Sequence, residues 1–171
     1  MKIRQLEKLL DEHLRGNSSP VVVYATLWPF IKVIEDVPTN DITREILELF
    51  LALVGSERDF LMPSFTGGFK DGFSDLDNQP SLSGILSEAF RLHPDSRRTI
   101  CPWFSFSCRG PNADHLISLN PKDAWGGGSL YEWLEKEEAQ IVMFGTDACS
   151  YYHRIEWLNK DIIDYRFEKH F

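Results

Sequence analysis

No stretch of this sequence approaches the ~20 consecutive apolar residues that a membrane-spanning helix needs. Its opening, MKIRQLEKLLDEHLRG (1–16), scatters charges where a signal peptide would hold an unbroken apolar core. These two absences give the expectation of a cytoplasmic protein with no membrane partner. Cysteine is scarce. Cys101, Cys108 and Cys149 form neither a disulfide-like framework nor a CxxC zinc pattern. His13, His93, His115 and His170 are scattered without metal-ligand spacing, so no metal is expected. Positive charge is also short: 18 Lys and Arg stand against 26 Asp and Glu, a net charge of −8. Phosphate backbones need a basic surface, so nucleic acid is not the expected partner. The acidic balance would suit a cationic substrate, although many cytosolic proteins are acidic.

What is present fits one globular domain spanning 1–171, with 43% hydrophobic and 26% charged residues. Ile3, Leu6, Leu9, Leu10 and Leu14 fall at helical spacing, and Gly16–Pro20 stops that helix. VVVYAT (21–26) reads as a strand buried on both faces. A helix is predicted over 41–54, capped by Asn40 or Asp41, and a second strand over 59–65, with pairing ending near Pro63. Residues 66–81 are a Gly-, Asp- and Ser-rich loop, long enough to suggest a functional role. A helix over 82–92, a strand or extended segment over 97–110, a short helix near 113–118 and another over 130–138 follow. Strands alternating with helices predict a three-layer α/β/α domain on a mostly parallel central sheet.

One segment combines strand-end geometry with proton-transfer chemistry. In AQIVMFGTDACSYYHRIEWL (139–158) a short apolar run ends at Gly145, a polar loop follows, and His153 and Glu156 appear three residues apart. Open α/β sheets place ligands at such strand ends, and residues at i and i+3 share a helix face. His153 reads either as a base or as a satisfied structural residue. Glu156 reads either as its partner or as a surface carboxylate paired with Arg154 or Lys160. Cys149, four residues before His153, would suit a thiol nucleophile only if both were helical.

Further segments share an order. FLMPSFT (60–66) ends a strand in Met-Pro-Ser-Phe, and QPSLSGILSEAFR (79–91) holds Gly-x-Leu-x-Glu-x-Phe-Arg. RTICPWFSFSCRG (98–110), WGGGSL (125–130) and GTDACSYYHRIE (145–156) follow. Over most of residues 20–158 this series resembles the aminoglycoside 3-N-acetyltransferase family, unrelated in fold to the GNAT acetyltransferases. The family's His-x-Ser-Leu reads Tyr24-Ala25-Thr26-Leu27 here, the His of its His-Pro is Cys101, and its Asn-Thr is Cys149-Ser150. Family chains continue into a C-terminal region that helps complete the acceptor site. The resemblance therefore implies a shortened member in which donor-side features carry over better than acceptor-side ones.

The resemblance implies direct acetyl transfer from acetyl-CoA to an amine of an aminoglycoside or related amino sugar, with no cysteine nucleophile. His153 is then the general base, with Glu156 orienting the ring or holding the cationic acceptor. Thr26 and Ser150 are candidate oxyanion or pantetheine contacts. On the cofactor side the implied contacts are Thr26, Leu27, Ser64, Thr66, Arg98, Thr99, Ser105 and Ser129. The pyrophosphate arm adds Lys70, Arg97 and Arg109, with backbone amides at Gly67-Gly68 and Gly126–Gly128. Two other readings stand beside this one. The first is an acyltransferase of surface-polysaccharide or amino-sugar metabolism. The second is a truncated, catalytically silent CoA-binding relative whose exposed apolar edge is covered by a partner, such as a second subunit in a homodimer.

Overall fold

Three consecutive valines set the architecture, because each is fully buried and successive side chains of a strand point to opposite faces. The computed structural model describes residues 1–67, 75–101 and 103–159. Its elements run α1 (Ile3–Leu14), β1 (Val21–Ala25), α2 (Trp28–Ile31), α3 (Ile42–Val54), β2 (Phe60–Pro63) and α4 (Ile85–Arg91). Then come β3 (Arg97–Arg98), β4 (Phe106–Arg109), α5 (Ala113–Ser118), α6 (Leu130–Lys136), β5 (Gln140–Phe144) and α7 (Tyr152–Asn159). Val21 and Val23 join one core with Leu6, Leu10, Ile46 and Phe50 from α1 and α3. Val22 and Tyr24 join a second core with Leu116, Leu130, Tyr131 and Leu134 from α5 and α6. Helices on both faces are what bury β1 twice, as its composition predicts.

The strands form one sheet in the order β3-β4-β2-β1-β5. β1 pairs in parallel with β2 and β5, while β4 is antiparallel to both β2 and β3. β1, β2, β3 and β5 thus share a direction and β4 alone opposes them. The expected α/β class with its mostly parallel sheet is what the chain adopts. The 97–110 segment, read as a strand or extended piece, holds two antiparallel strands, the outer one two residues long.

The larger differences from the sequence reading are a later helix start and an unforeseen helix. The helix expected from Leu82 begins at Ile85, because Gly84 has φ +106°, a conformation that L side chains rarely adopt. A short helix, α2, also follows β1, started by Pro29 in its first turn. Its Phe30 ring stacks on Phe144 of β5 with centroids 3.9 Å apart.

The Gly-x-Leu-x-Glu-x-Phe-Arg segment anchors the C-terminal part of the long loop. Glu88 accepts the Ser81 N–H at 2.7 Å, and Arg91 bonds Glu88 at 2.7 and 2.8 Å and the Asp77 carbonyl at 3.2 Å. Gly68, Lys70 and Lys160 lie outside the described residues. Among the described residues no helix is long and apolar enough to cross a membrane.

Candidate active site

The chain leaves β1 and β5 toward opposite faces of the sheet. After β1 it enters α2 and α3, which pack on the first core; after β5 it passes through 145–151 into α7, whose Trp157 packs on the second. Neighbouring parallel strands that diverge in this way open a crevice at their carboxyl ends, where α/β sheets bind ligands. Thr26 and Gly145 follow directly on these two strand ends. The Thr26 N–H donates to the Phe144 carbonyl at 2.8 Å, and Gly145, at φ +68°, lies against the Thr26 carbonyl.

On α7, His153 Nδ1 lies 2.8 Å from Glu156 Oε2, and both side chains are about one-third exposed, at 31% and 32%. A carboxylate at Nδ1 favours the tautomer that donates to it, which puts the imidazole lone pair on Nε2. The ring stands edge-on to Trp125, with centroids 5.2 Å apart. Of the alternatives read for Glu156, the His153 contact is present, and Lys160 lies outside the described residues. Arg154 turns elsewhere: it is buried, bonds Glu135 Oε2 at 2.7 and 3.0 Å, donates to the Trp125 carbonyl and sits over the Trp157 ring. This clamp ties α7 to α6 and to the Trp125–Ser129 turn.

Ser150 lies just before α7, and its carbonyl accepts the His153 N–H at 3.1 Å. Its hydroxyl meets two phenols, Tyr24 at 2.9 Å and Tyr131 at 2.6 Å. Burial pushes both phenols well above their ordinary titration range. Cys149 is outside the helix, so the geometry needed for a Cys149–His153 nucleophile pair is not formed.

The residues expected on the donor side form a second cluster at the adjoining strand ends. Ser64 Oγ and Ser107 Oγ are 2.5 Å apart, and Ser105 Oγ donates to the Ser64 carbonyl at 2.6 Å. Thr99 Oγ1 accepts the Phe106 N–H at 2.9 Å. Arg98 donates to Ser105 Oγ at 3.1 Å, to the Leu76 and Gln79 carbonyls at 2.5 and 2.6 Å, and to the Ser64 carbonyl. Partial burial, with Arg91 nearby, lowers its pKa. Arg98 thus fastens the long loop to the sheet. Leu27 and Thr66 are buried, Leu27 within the first core. Ser129 caps α6 by accepting the Glu132 N–H at 3.2 Å.

The pyrophosphate expectations fare differently. Arg109 pairs in register with Phe60, the first residue of β2, so it lies at the opposite end of the sheet and donates to the Gly55 carbonyl at 3.2 Å. The reversed direction of β4 accounts for this displacement. Arg97 pairs with Asp114. In the glycine turn, the Gly126 N–H donates to Asp123 and the Gly128 N–H to Glu132 at 2.7 Å, so carboxylates of the chain already take those amides. No group of three His, Cys, Asp or Glu among the described residues is placed to hold a metal.

Sequence reasoning missed Tyr24 and Tyr131 as partners of Ser150, Trp125 beside His153, and the Arg154–Glu135 clamp. Only Tyr24 carried a signal, a phenol inside an otherwise aliphatic strand.

The family model described as aminoglycoside 3-N-acetyltransferase matches residues 34–170. The chain belongs to that family. No curated protein sequence matches it. Among solved structures, AAC-VIa bound to sisomicin superposes with a TM-score of 0.73 at 20% identity, over 91% of this chain and 64% of that one. AAC-IIIb in a binary complex with CoASH gives 0.73 at 18% identity, over 92% and 65%. The YokD protein from Bacillus subtilis gives 0.74 at 18%, over 92% and 70%. At these identities the likeness speaks for the fold. This aminoglycoside 3-N-acetyltransferase family member spans just under two thirds of AAC-VIa and AAC-IIIb.

Proposed function

We propose that the chain transfers an acetyl group from acetyl-CoA directly to an amine of an aminoglycoside or related amino sugar, with His153 as the general base. The observation that carries this reading is the His153–Glu156 pair, 2.8 Å apart at the carboxyl end of β5. Family membership supports it, as do relatives bound to CoASH and to an aminoglycoside. His153 Nε2 takes the proton as the amine nitrogen forms its bond to the thioester carbon and the carbonyl π pair moves to oxygen. Collapse breaks the C–S bond, and the imidazolium returns the proton to the departing thiolate. Glu156 holds the ring by Nδ1 and stabilises its charged form between these events. Ser150 and Thr26 border the crevice as candidate donors to the carbonyl oxygen. Ser64, Thr66, Arg98, Thr99, Ser105, Ser129 and Leu27 shape the donor side, largely by fixing strand ends and the long loop.

The test pairs binding with turnover. Acetyl-CoA should raise the melting temperature of wild type and of His153→Ala alike. Thiol release with an amino-sugar panel should fall about 100- to 10,000-fold in His153→Ala. Binding without thiol release from any acceptor would favour the silent-relative reading, and no stabilisation by millimolar acetyl-CoA would remove the CoA reading altogether.

A further inference from the structure

Proton counting restricts what the Ser150 hydroxyl can do. A serine hydroxyl offers one proton and two lone pairs, and each neighbouring phenol brings a proton that needs an acceptor. Tyr24 reaches Ser150 from β1 and Tyr131 from α6, at 2.9 and 2.6 Å. Both rings pack edge-on against Phe106, with centroids 6.4 and 5.7 Å away, so neither phenol can swing toward water. Burial disfavours their ionisation, so both keep their protons, and the two phenols also hydrogen-bond each other, which lets the three hydroxyls close a ring. When both donate to Ser150, its lone pairs are filled and its own proton must point out of the cluster. Ser150 is only half-buried, and its carbonyl caps the turn that carries His153.

We propose that Tyr24 and Tyr131 are positioning residues that fill both Ser150 lone pairs and make its hydroxyl a one-way donor to the thioester carbonyl oxygen. This rests on the acetyl-transfer reading. The Ser150 proton is not transferred: its hydrogen bond strengthens as the amine adds and charge moves to oxygen, and weakens again when the C–S bond breaks and the carbonyl reforms.

The experiment is isotope-edited infrared spectroscopy of acetyl-CoA carrying 13C at the thioester carbonyl, bound to the full chain, with affinity measured separately by calorimetry. The carbonyl band should move to lower frequency on binding wild type. Ser150→Ala should abolish that shift and lower kcat about 100- to 1000-fold with little change in KM. Ser150→Thr should restore the shift. Tyr24→Phe and Tyr131→Phe, checked for folding by circular dichroism and melting, should keep affinity while broadening and reducing the shift. An identical band in wild type and Ser150→Ala would overturn the proposal, as a closed ring of three hydroxyls would produce. Tyrosine variants with the wild-type band would overturn the positioning role. Failure of acetyl-CoA to bind any form would instead overturn the acetyl-transfer reading beneath it.

Discussion

Gly145→Ala perturbs the junction between the two strand ends that bound the crevice. Gly145 has φ +68°, and a Cβ there would press on the Thr26 carbonyl and stand 2.7 Å from the Phe30 ring. Neither neighbour can yield cheaply. The carbonyl is main chain, and Phe30 is stacked on Phe144, which itself packs edge-on against Phe50 with centroids 5.2 Å apart. The left-handed backbone costs a non-glycine residue about 1–2 kcal/mol. Forcing a methyl into a filled site costs about 1–3 kcal/mol more. The sum, about 2–5 kcal/mol, corresponds to a Tm lower by roughly 4–20 °C, since each kcal/mol is about 2–4 °C in a domain of this size.

Two controls separate the contributions. Gly55 has φ 75° and ψ −170° with nothing within 4 Å of an added Cβ, so Gly55→Ala carries the backbone cost alone, about 1–3 kcal/mol. Gly127 has no positive φ and open space, so Gly127→Ala should stay within about 0.5 kcal/mol of wild type. Thermal melts and urea unfolding of the series should rank Gly145→Ala as least stable, then Gly55→Ala, then Gly127→Ala. A Gly145→Ala loss no larger than the backbone cost of about 1–2 kcal/mol would remove the steric argument. One equal to Gly127→Ala would refute the whole account of the junction.

Arg154→Met should cost about 3 kcal/mol, the low end for breaking a buried pair, because Glu135 is 43% exposed and keeps water; an unchanged urea midpoint would deny the clamp. Arg91 holds the Glu88 carboxyl below its usual range, with the Ser81 N–H adding to the effect against partial burial. Such a depressed carboxylate stabilises the fold above its unfolded pKa of ~4.3, and the contribution is lost as pH falls through the folded value. Wild type should therefore exceed Glu88→Gln in stability at pH 7 by a margin that shrinks below about pH 4, and a pH-independent margin would count against the pairing. Burial, with the Asp59 charge, pushes the Cys108 thiol up to about 12. An alkylating reagent at about pH 8 should modify Cys108 only after unfolding, because the thiolate is the reactive form; native labelling detected by mass spectrometry would contradict its burial.

Composition made β1 legible as doubly buried but not which core each valine joins, since that depends on helices from distant parts of the sequence. The 97–110 pair of strands was read as a single strand or extended piece because alternating aromatic and polar residues do not say where a chain reverses. That reversal also sent Arg109 to the far end of the sheet, where a motif read by residue type alone could not put it. Arg98 illustrates the same limit from another side. A guanidinium beside a loop reads as an anion ligand, yet here its donors go to carbonyls of the loop and of Ser64. Type and spacing record what a side chain offers, and only the fold decides which partner takes it.

The His153–Glu156 pair was legible because it is local, three residues apart on one helix face. What aims it was not, because Ser150 is held by a phenol 126 positions away and another 19 away. α7 buries Arg154 alone, while Tyr152, Ile155 and Leu158 remain exposed. Apolar burial is non-directional, so a helix docked that way could rotate or slide at little cost. Hydrogen bonds weaken steeply with angle, and α7 is docked mainly by them, through Arg154 to Glu135 and the Trp125 carbonyl, and through Ser150 to the two phenols. Directional bonds at the start and middle of so short a helix leave its azimuth little freedom. The polar clamp is therefore what fixes the direction in which His153 presents Nε2.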